Sequence, residues 1–423
     1  MNIAIIGAGF TGLSAAYQLV KNGHHVTVFE KDANPGGLAV GFKEKEWAWT
    51  FEKHYHHWFT NDKFVLDLAH EIGQQVLIKT PKTSIFLDNH FYQLDSPLAL
   101  LRFSKLSLFE KIQMGTALAL LRYNPFWKPL EHIRATAILP QAIGKRAWKM
   151  IWEPQLINKM GKYADEVSLV WFWTRINKRT TSLAYPAGGY LRFAQKIVNE
   201  IEKKNGKVIF NAEIDSLTED SKKKIHVKVN NKEKTFDKAI VTVPSYLFLK
   251  LTPQLPQAYK KTLTPLQGLG ATDLVLRMKK QFMTDGSYWL SICEKNSPVL
   301  VVVEHTNLIN KKYYNNEHLI YLGNYPATTD NTFLMTKEEL LKFYDPLLKR
   351  INPDYKKNLI GYELFKAPFA QPIIPTNYSK QIPSLTTPLT NVYLANIEQV
   401  YPWDRGTNYA VELGVKVARL IDR

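Results

Sequence analysis

The chain predicts an α/β fold that opens on a dinucleotide-binding unit, and three observations carry that reading. A short apolar run, Asn2 to Ile6, leads directly into GAGFTG. A stretch with helical spacing of apolar residues follows, and then a second apolar run, HHVTVFEK, that meets an acid at Glu30. Farther along, ATDLVLRM, SYWLSICE, PVLVVVEHTN and HLIYLGNYP are short apolar runs separated by turns and polar loops. Such runs are the signature of antiparallel strands, so a second, α+β region is expected beside the first.

Each part of the N-terminal unit has a mechanical role. The apolar run suits a parallel strand covered on both faces. Gly7, Gly9 and Gly12 stand in the GxGxxG pattern: Gly7 makes the tight turn, Gly9 admits a pyrophosphate close to the backbone, and Gly12 permits close packing of helix on strand. The helix LSAAYQLVKNG is stopped by Gly23 and offers its first N–H groups to phosphate. Glu30 is placed to accept hydrogen bonds from ribose hydroxyls, and an acid there disfavours a 2′-phosphate. Strand, glycines, helix, strand and acid occur in the order that the motif requires.

The bulk composition narrows the class. With 423 residues, 45% of them hydrophobic, the chain is expected to bury a large core in one large fold or a few intertwined domains. A net charge of +17 points to acidic partners or to a lysine-rich surface, but no nucleic-acid module is present, so nucleic acid is not expected as a partner. A single cysteine, Cys293, leaves no intrachain disulfide framework and fits a reducing compartment. No apolar run approaches the length of a membrane span, and the chain enters a strand at once, without room for a signal peptide. A cytoplasmic protein is the expectation.

A second glycine pair, Gly36-Gly37, follows Glu30 in KDANPGGLAVGF. With it, GAGFTGLSAAYQLVKNGHHVTVFEKDANPGG resembles the opening of the flavin amine oxidase, protoporphyrinogen oxidase and phytoene desaturase superfamily. Two further segments match in the same order: YPAGGYLRFAQKIVNEIEKKNGKVIFNAEIDSL with FDKAIVTVPS, and the C-terminal NVYLANIEQVYPWDRGTNYAVELGVKVARLIDR. The resemblance implies FAD as cofactor and a Rossmann-type FAD-binding domain built from three chain segments, residues 1–75, 185–249 and 385–423. Residues 76–184 and 250–384 would then form an α+β substrate domain with an antiparallel sheet and a helical cap. It further implies that Ile214 packs against the adenine and that Gly406, Thr407 and Asn408 open a helix aimed at the flavin and its ribityl–pyrophosphate chain. Ala395-Asn396 departs from the family's Gly-acid pair, leaving Asn396 to contact the ribityl group. Arg405 either pairs with Asp404 or faces a phosphate.

Between these segments, SPLALLRFSKLSLFEKIQMGTALALLRYNPFWKPL and IGKRAWKMIWEPQL read as mostly helices with apolar and basic residues side by side. That is either an ordinary helical subdomain with snorkelling lysines or a cap with peripheral membrane contact at the inner face. Lys159 reads first as a solvated helix lysine, with a role as a site lysine as the alternative. Glu304 and His305 end an apolar strand, where side chains commonly enter a pocket, and are candidate catalytic groups.

The stretch FEKHYHHWFTND reads as a strand whose His54 and His56 share one face. No second histidine cluster supplies further ligands, so a metal site is not expected. In the superfamily this region lies beside the flavin ring, and UDP-galactopyranose mutases carry a histidine pair there, of which His56 matches the first. His56 is therefore the leading catalytic candidate. The resemblance implies an FAD-dependent oxidoreductase that moves a hydride from a small-molecule substrate to flavin N5. The alternative is a non-redox flavoenzyme acting on a sugar nucleotide, as a UDP-galactopyranose mutase does, and a third class is a flavin-bearing scaffold without turnover.

Overall fold

The structure, a computed structural model, describes residues 1–422. Its first layer is a five-stranded parallel sheet in the spatial order Lys207–Ile209, His25–Phe29, Asn2–Ile6, Lys238–Val241, Val392–Leu394. Strands from the beginning, middle and end of the sequence thus share one sheet. The central strand is buried from Ile3 to Ile6, as a continuous apolar run in a parallel sheet must be. The helix Phe10–Lys21 returns across this sheet and packs on the C-terminal helix Thr407–Ile421. Gly414 sets how close the two come: a Cβ there would lie 2.0 Å from Ser14 Oγ, whose hydroxyl reaches the Val411 carbonyl at 3.3 Å.

The second layer is a seven-stranded sheet, in the order Leu359–Pro372, Gly268–Met278, His318–Asn324, Val301–Glu304, Trp289–Ile292, Thr83–Leu87, His90–Gln93. It is antiparallel apart from the parallel pair Trp289–Ile292 with Thr83–Leu87. The helix Lys337–Ile351 covers one face with Leu340, Tyr344, Leu347 and Leu348, and starts on a capping box between Thr336 and Glu339. The hairpin at residues 83–93 corrects the mostly helical reading of 76–184. Asp88 and Asn89 both adopt positive φ, the conformation of a two-residue turn whose twist suits a hairpin. Residues 97–177 are otherwise largely helical.

The histidine-rich stretch is not one strand. Only Phe51–Glu52 and Trp58–Phe59 pair in sheets, and the segment between them is irregular. Local bonds replace the ladder: His56 Nδ1–H folds back to the His54 carbonyl at 2.7 Å, a competitor to regular pairing. Glu52 is pulled inward by Tyr185, whose hydroxyl donates to both carboxylate oxygens at 2.9 Å, and by the Tyr190 N–H at 2.8 Å.

Candidate cofactor and substrate site

The glycines of the two N-terminal turns face each other. A Cβ on Gly37 would approach Gly9 Cα to 3.1 Å, and the Gly36 N–H donates to the Ala8 carbonyl at 2.9 Å. Bare backbone from two loops therefore forms one surface. Gly9 caps the helix Phe10–Lys21 and Gly406 caps Thr407–Ile421, and neither cap supplies a side-chain acceptor to the first turn. Helix N-termini left this way present free N–H groups and a partial positive charge, which is what a pyrophosphate requires. Glu30, 8% exposed, is held by the Ala8 N–H at 2.7 Å and the Asp32 N–H at 3.0 Å. Burial raises its pKa, and each oxygen keeps a further lone pair for hydroxyl donors. Ile214 begins a strand close by, where the Ala212 N–H donates to the Glu30 carbonyl at 2.8 Å. This set of groups fits the adenosine and pyrophosphate of a dinucleotide.

Thr407 and Asn408 are buried at the C-terminal helix N-terminus, and their side chains are engaged by protein. Trp58 Nε1–H donates to Thr407 Oγ1 at 2.6 Å, and the Val65 N–H donates to Asn408 Oδ1 at 3.2 Å. Asn396 differs from its expected role. Its amide donates to the Val243 carbonyl and Ser245 Oγ, while its Oδ1 accepts from the Glu398 N–H. The side chain that replaces the family's acid is spent on locking the turn at 395–399 to residues 243–245.

From His54 onward the chain crosses to the large sheet. His54 Nδ1–H donates to Asp273 Oδ2 at 2.7 Å, and Asp273 Oδ1 is buried without a partner. Tyr55 and Tyr325 share a 2.6 Å hydroxyl bond, and the Arg405 guanidinium donates to Tyr325 and to the Ala370 carbonyl. Arg405 therefore turns toward the sheet rather than pairing with Asp404, which binds Arg175 instead. His54, His56 and His57 are each half-buried rather than sealed in the core. The surrounding protein is nevertheless dense enough to push His56 down to about 4 and His57 to about 3, burial being the first cause in each. With its Nδ1–H bound to a carbonyl, neutral His56 presents Nε2 as an acceptor.

Glu304 and His305 do not join this group. Glu304, 0% exposed, accepts from the Phe282 and Met283 N–H groups and from His318, a closed structural set. His305 is packed among Phe51, Tyr185 and Tyr314 and bonds the Tyr314 hydroxyl at 2.9 Å; burial pushes it down to about 3. The strand Val301–Glu304 is buried along its whole length, and a short 3-10 helix, His305–Asn307, follows it with His305 still buried. Lys159, for which a solvated helix position was the leading expectation, is instead buried, with its ammonium over the Tyr325 and Trp171 rings. Among the described residues, no three His, Cys, Asp or Glu side chains converge as a metal would need.

Known proteins share this architecture. Coproporphyrinogen III oxidase from Staphylococcus aureus is 23% identical over 295 residues, which cover 60% of this chain and 63% of that protein. The chain thus spans less than two thirds of that relative's length. An oxidoreductase from Methanosarcina mazei superposes with a TM-score of 0.78 over 100% of both chains, at 18% identity. Reduced UDP-galactopyranose mutase superposes at 0.77 over 99% of this chain and 95% of the other, at 16% identity. At such identities the likeness to the solved structures is one of fold. The family model described as flavin containing amine oxidoreductase matches residues 10–421, and the chain belongs to that family.

Proposed function

We propose that the protein is an FAD-dependent oxidoreductase acting on a small molecule held between the histidine segment and the large sheet. The single observation that supports this most is the pairing of two uncapped helix N-termini with the Gly9–Gly37 backbone surface and the anchored Glu30 carboxylate. Residues 1–75, 185–249 and 385–423 would form the cofactor domain, and 76–184 with 250–384 the substrate and cap side. In that arrangement Glu30 holds the ribose, the backbone of Gly7, Gly9, Gly12, Gly36 and Gly37 surrounds the pyrophosphate, and Ile214 lies against the adenine. The backbone at Gly406, Thr407 and Asn408 serves the flavin end.

The chemistry that FAD supplies when bound is acceptance of a hydride from a C–H or N–H bond, with oxygen, a quinone or another carrier as final acceptor. The chain's own part is positional. His54 is fixed by Asp273, and His56 offers a neutral Nε2 that can take a proton from a substrate N–H or O–H group. Tyr55, between the two histidines, packs edge-on against Trp289 and Tyr321 of the large sheet, and His56 packs against Tyr190. The mutase-like alternative rests on fold likeness and on the single histidine match at His56. Anaerobic mixing with candidate substrates separates the two readings. Bleaching of the flavin by a substrate is expected, whereas a need for prior chemical reduction together with uridine-nucleotide binding would favour the mutase.

The cap also supports peripheral contact with an anionic bilayer. Leu101, Leu108, Phe109, Leu120, Tyr123 and Phe126 are 54–81% exposed on the helices Pro97–Arg102 and Leu108–Tyr123 and the turn beyond them. Arg102, Lys128, Lys145, Arg146 and Lys149 are exposed in the same part of the chain. Apolar side chains rimmed by cations match a lipid surface carrying negative headgroups. No helix among the described residues is long and apolar enough to cross a membrane.

A further inference from the structure

Three cations and two aromatic rings interleave on the substrate side. Lys159 comes from the helix Glu153–Met160, Arg175 from the helix Leu169–Asn177, and Arg405 from the loop before the C-terminal helix. The Lys159 ammonium stands 4.6 Å from the centre of the Tyr325 ring and 5.6 Å from that of Trp171. The same rings carry the guanidiniums: Arg405 lies 4.8 Å from Tyr325 and Arg175 4.7 Å from Trp171. One carboxylate, Asp404, faces these three charges, and it is already bound to Arg175.

Lys159 is 6% exposed, and no acceptor for its ammonium is found among the described residues. Trp171 adds a buried indole N–H that also lacks an acceptor. Contact with aromatic faces compensates a buried ammonium only in part, since desolvation of a charge costs more than such contacts return. Burial first, then the two guanidiniums, push the lysine well below its usual range, with Asp404 alone opposing them. Such a constellation is expensive for the protein unless a negative charge completes it.

We infer that this cluster takes an anionic group of the substrate, a carboxylate or a phosphate, with Lys159 as its central cation. The inference rests on reading this side of the protein as the substrate side of a flavoenzyme. It selects substrates whose reacting bond lies at a fixed reach from an acidic group. Simple cationic amines lack the charge that Lys159 requires.

The test uses the protein as purified, with its flavin. Sodium succinate, inorganic phosphate and pyrophosphate are titrated at constant ionic strength, with putrescine and 1,4-butanediol as cationic and neutral controls. Melting temperature and flavin absorbance are followed together. At least one anion is expected to raise the melting temperature saturably, and the controls are not. Lys159→Met should weaken that anion's binding about tenfold or more at unchanged flavin content, while Lys159→Arg should retain most of it. Equal binding by Lys159→Met, or stabilisation no greater than that given by sodium chloride, overturns the inference.

A second measurement on the unaltered protein serves if Lys159→Met does not fold. Affinity for succinate should fall as pH rises through the lowered range in which the lysine gives up its proton, because the lysine must be charged to bind. An affinity independent of pH up to about 10 overturns the inference as well. Failure of the two readings is distinguishable. Flavin-free protein that still binds an anion through Lys159 contradicts the flavin reading and keeps the anion site, whereas flavin-bearing protein indifferent to anions does the reverse.

Discussion

His54 and Asp273, far apart in sequence, are joined by a 2.7 Å hydrogen bond that ties the segment after the glycine pairs to the middle of the large sheet. The bond leaves Asp273 Oδ1 buried and unsatisfied, and burial raises the Asp273 pKa against the pull of His54. An unpaired buried carboxylate oxygen is costly in a merely structural position. It is understandable where a ligand or substrate group completes it.

Turnover should depend on these groups while cofactor binding should not. His56→Ala is expected to lower kcat about tenfold or more, and Asp273→Asn to do the same by removing the charge that orients His54. The flavin-to-protein ratio of both variants should match that of the wild type. Because burial holds His56 at about 4, the wild-type rate should show no acid limb near the ordinary histidine value. Loss of flavin from His56→Ala would make that residue structural.

Glu52 gives the fold a pH dependence of known sign. Burial raises this carboxyl to about 7 from its ordinary value of 4.5. The native state therefore holds the proton more tightly than the unfolded chain between those values. Its stabilising contribution is complete below about 4.5 and is lost as pH rises toward 7. Glu52→Gln, which resembles the protonated form, should gain melting temperature relative to wild type at pH 8 but not at pH 5, as thermal scans at the two values would show.

Two glycines at helix N-termini, Gly12 and Gly406, should respond differently to a methyl group. A Cβ at Gly12 would sit 2.0 Å from the Gly7 carbonyl oxygen, whereas one at Gly406 meets nothing within 4 Å. Gly12→Ala should cost about 1–3 kcal/mol or more through overpacking. Gly406→Ala should leave the melting temperature nearly unchanged, since its φ of 171° is ordinary extended backbone. Differential scanning calorimetry of the two variants reads this contrast.

What the sequence made legible follows from how local each cause is. The strand–glycine–helix–strand–acid order is set within thirty residues, so it could be read directly, and the glycine turns, Glu30 and the central strand lie as that order requires. Lys159 was ambiguous because its burial is made by Trp171 and Tyr325, which no helical spacing around residue 159 announces. Glu304 and His305 misled for the converse reason: a strand end can enter a pocket or a core, and the donors that close off Glu304 come from residues 282, 283 and 318. The histidine stretch alternated like a strand, yet the tertiary captures of Glu52 and His54 broke it. The hairpin at 83–93 carried a readable Asp-Asn turn signal, overshadowed by the helical segments beyond it.

The exposed apolar face of the helices Pro97–Arg102 and Leu108–Tyr123 yields a binding expectation. The protein should cosediment with vesicles containing phosphatidylglycerol and not with neutral phosphatidylcholine vesicles, and added salt should weaken the association. Replacing Phe109 and Leu120 by serine should reduce the bound fraction severalfold at unchanged flavin content. Equal binding to neutral vesicles, or no effect of the double replacement, would contradict charge-assisted contact through this face.

Denaturing the purified protein and identifying the released chromophore decides whether the chain carries FAD. FAD is expected in the supernatant at close to one molecule per chain, with the ratio falling at least several-fold in Glu30→Ala. A correctly folded chain that releases no flavin, and takes up none when FAD is added, would contradict that expectation.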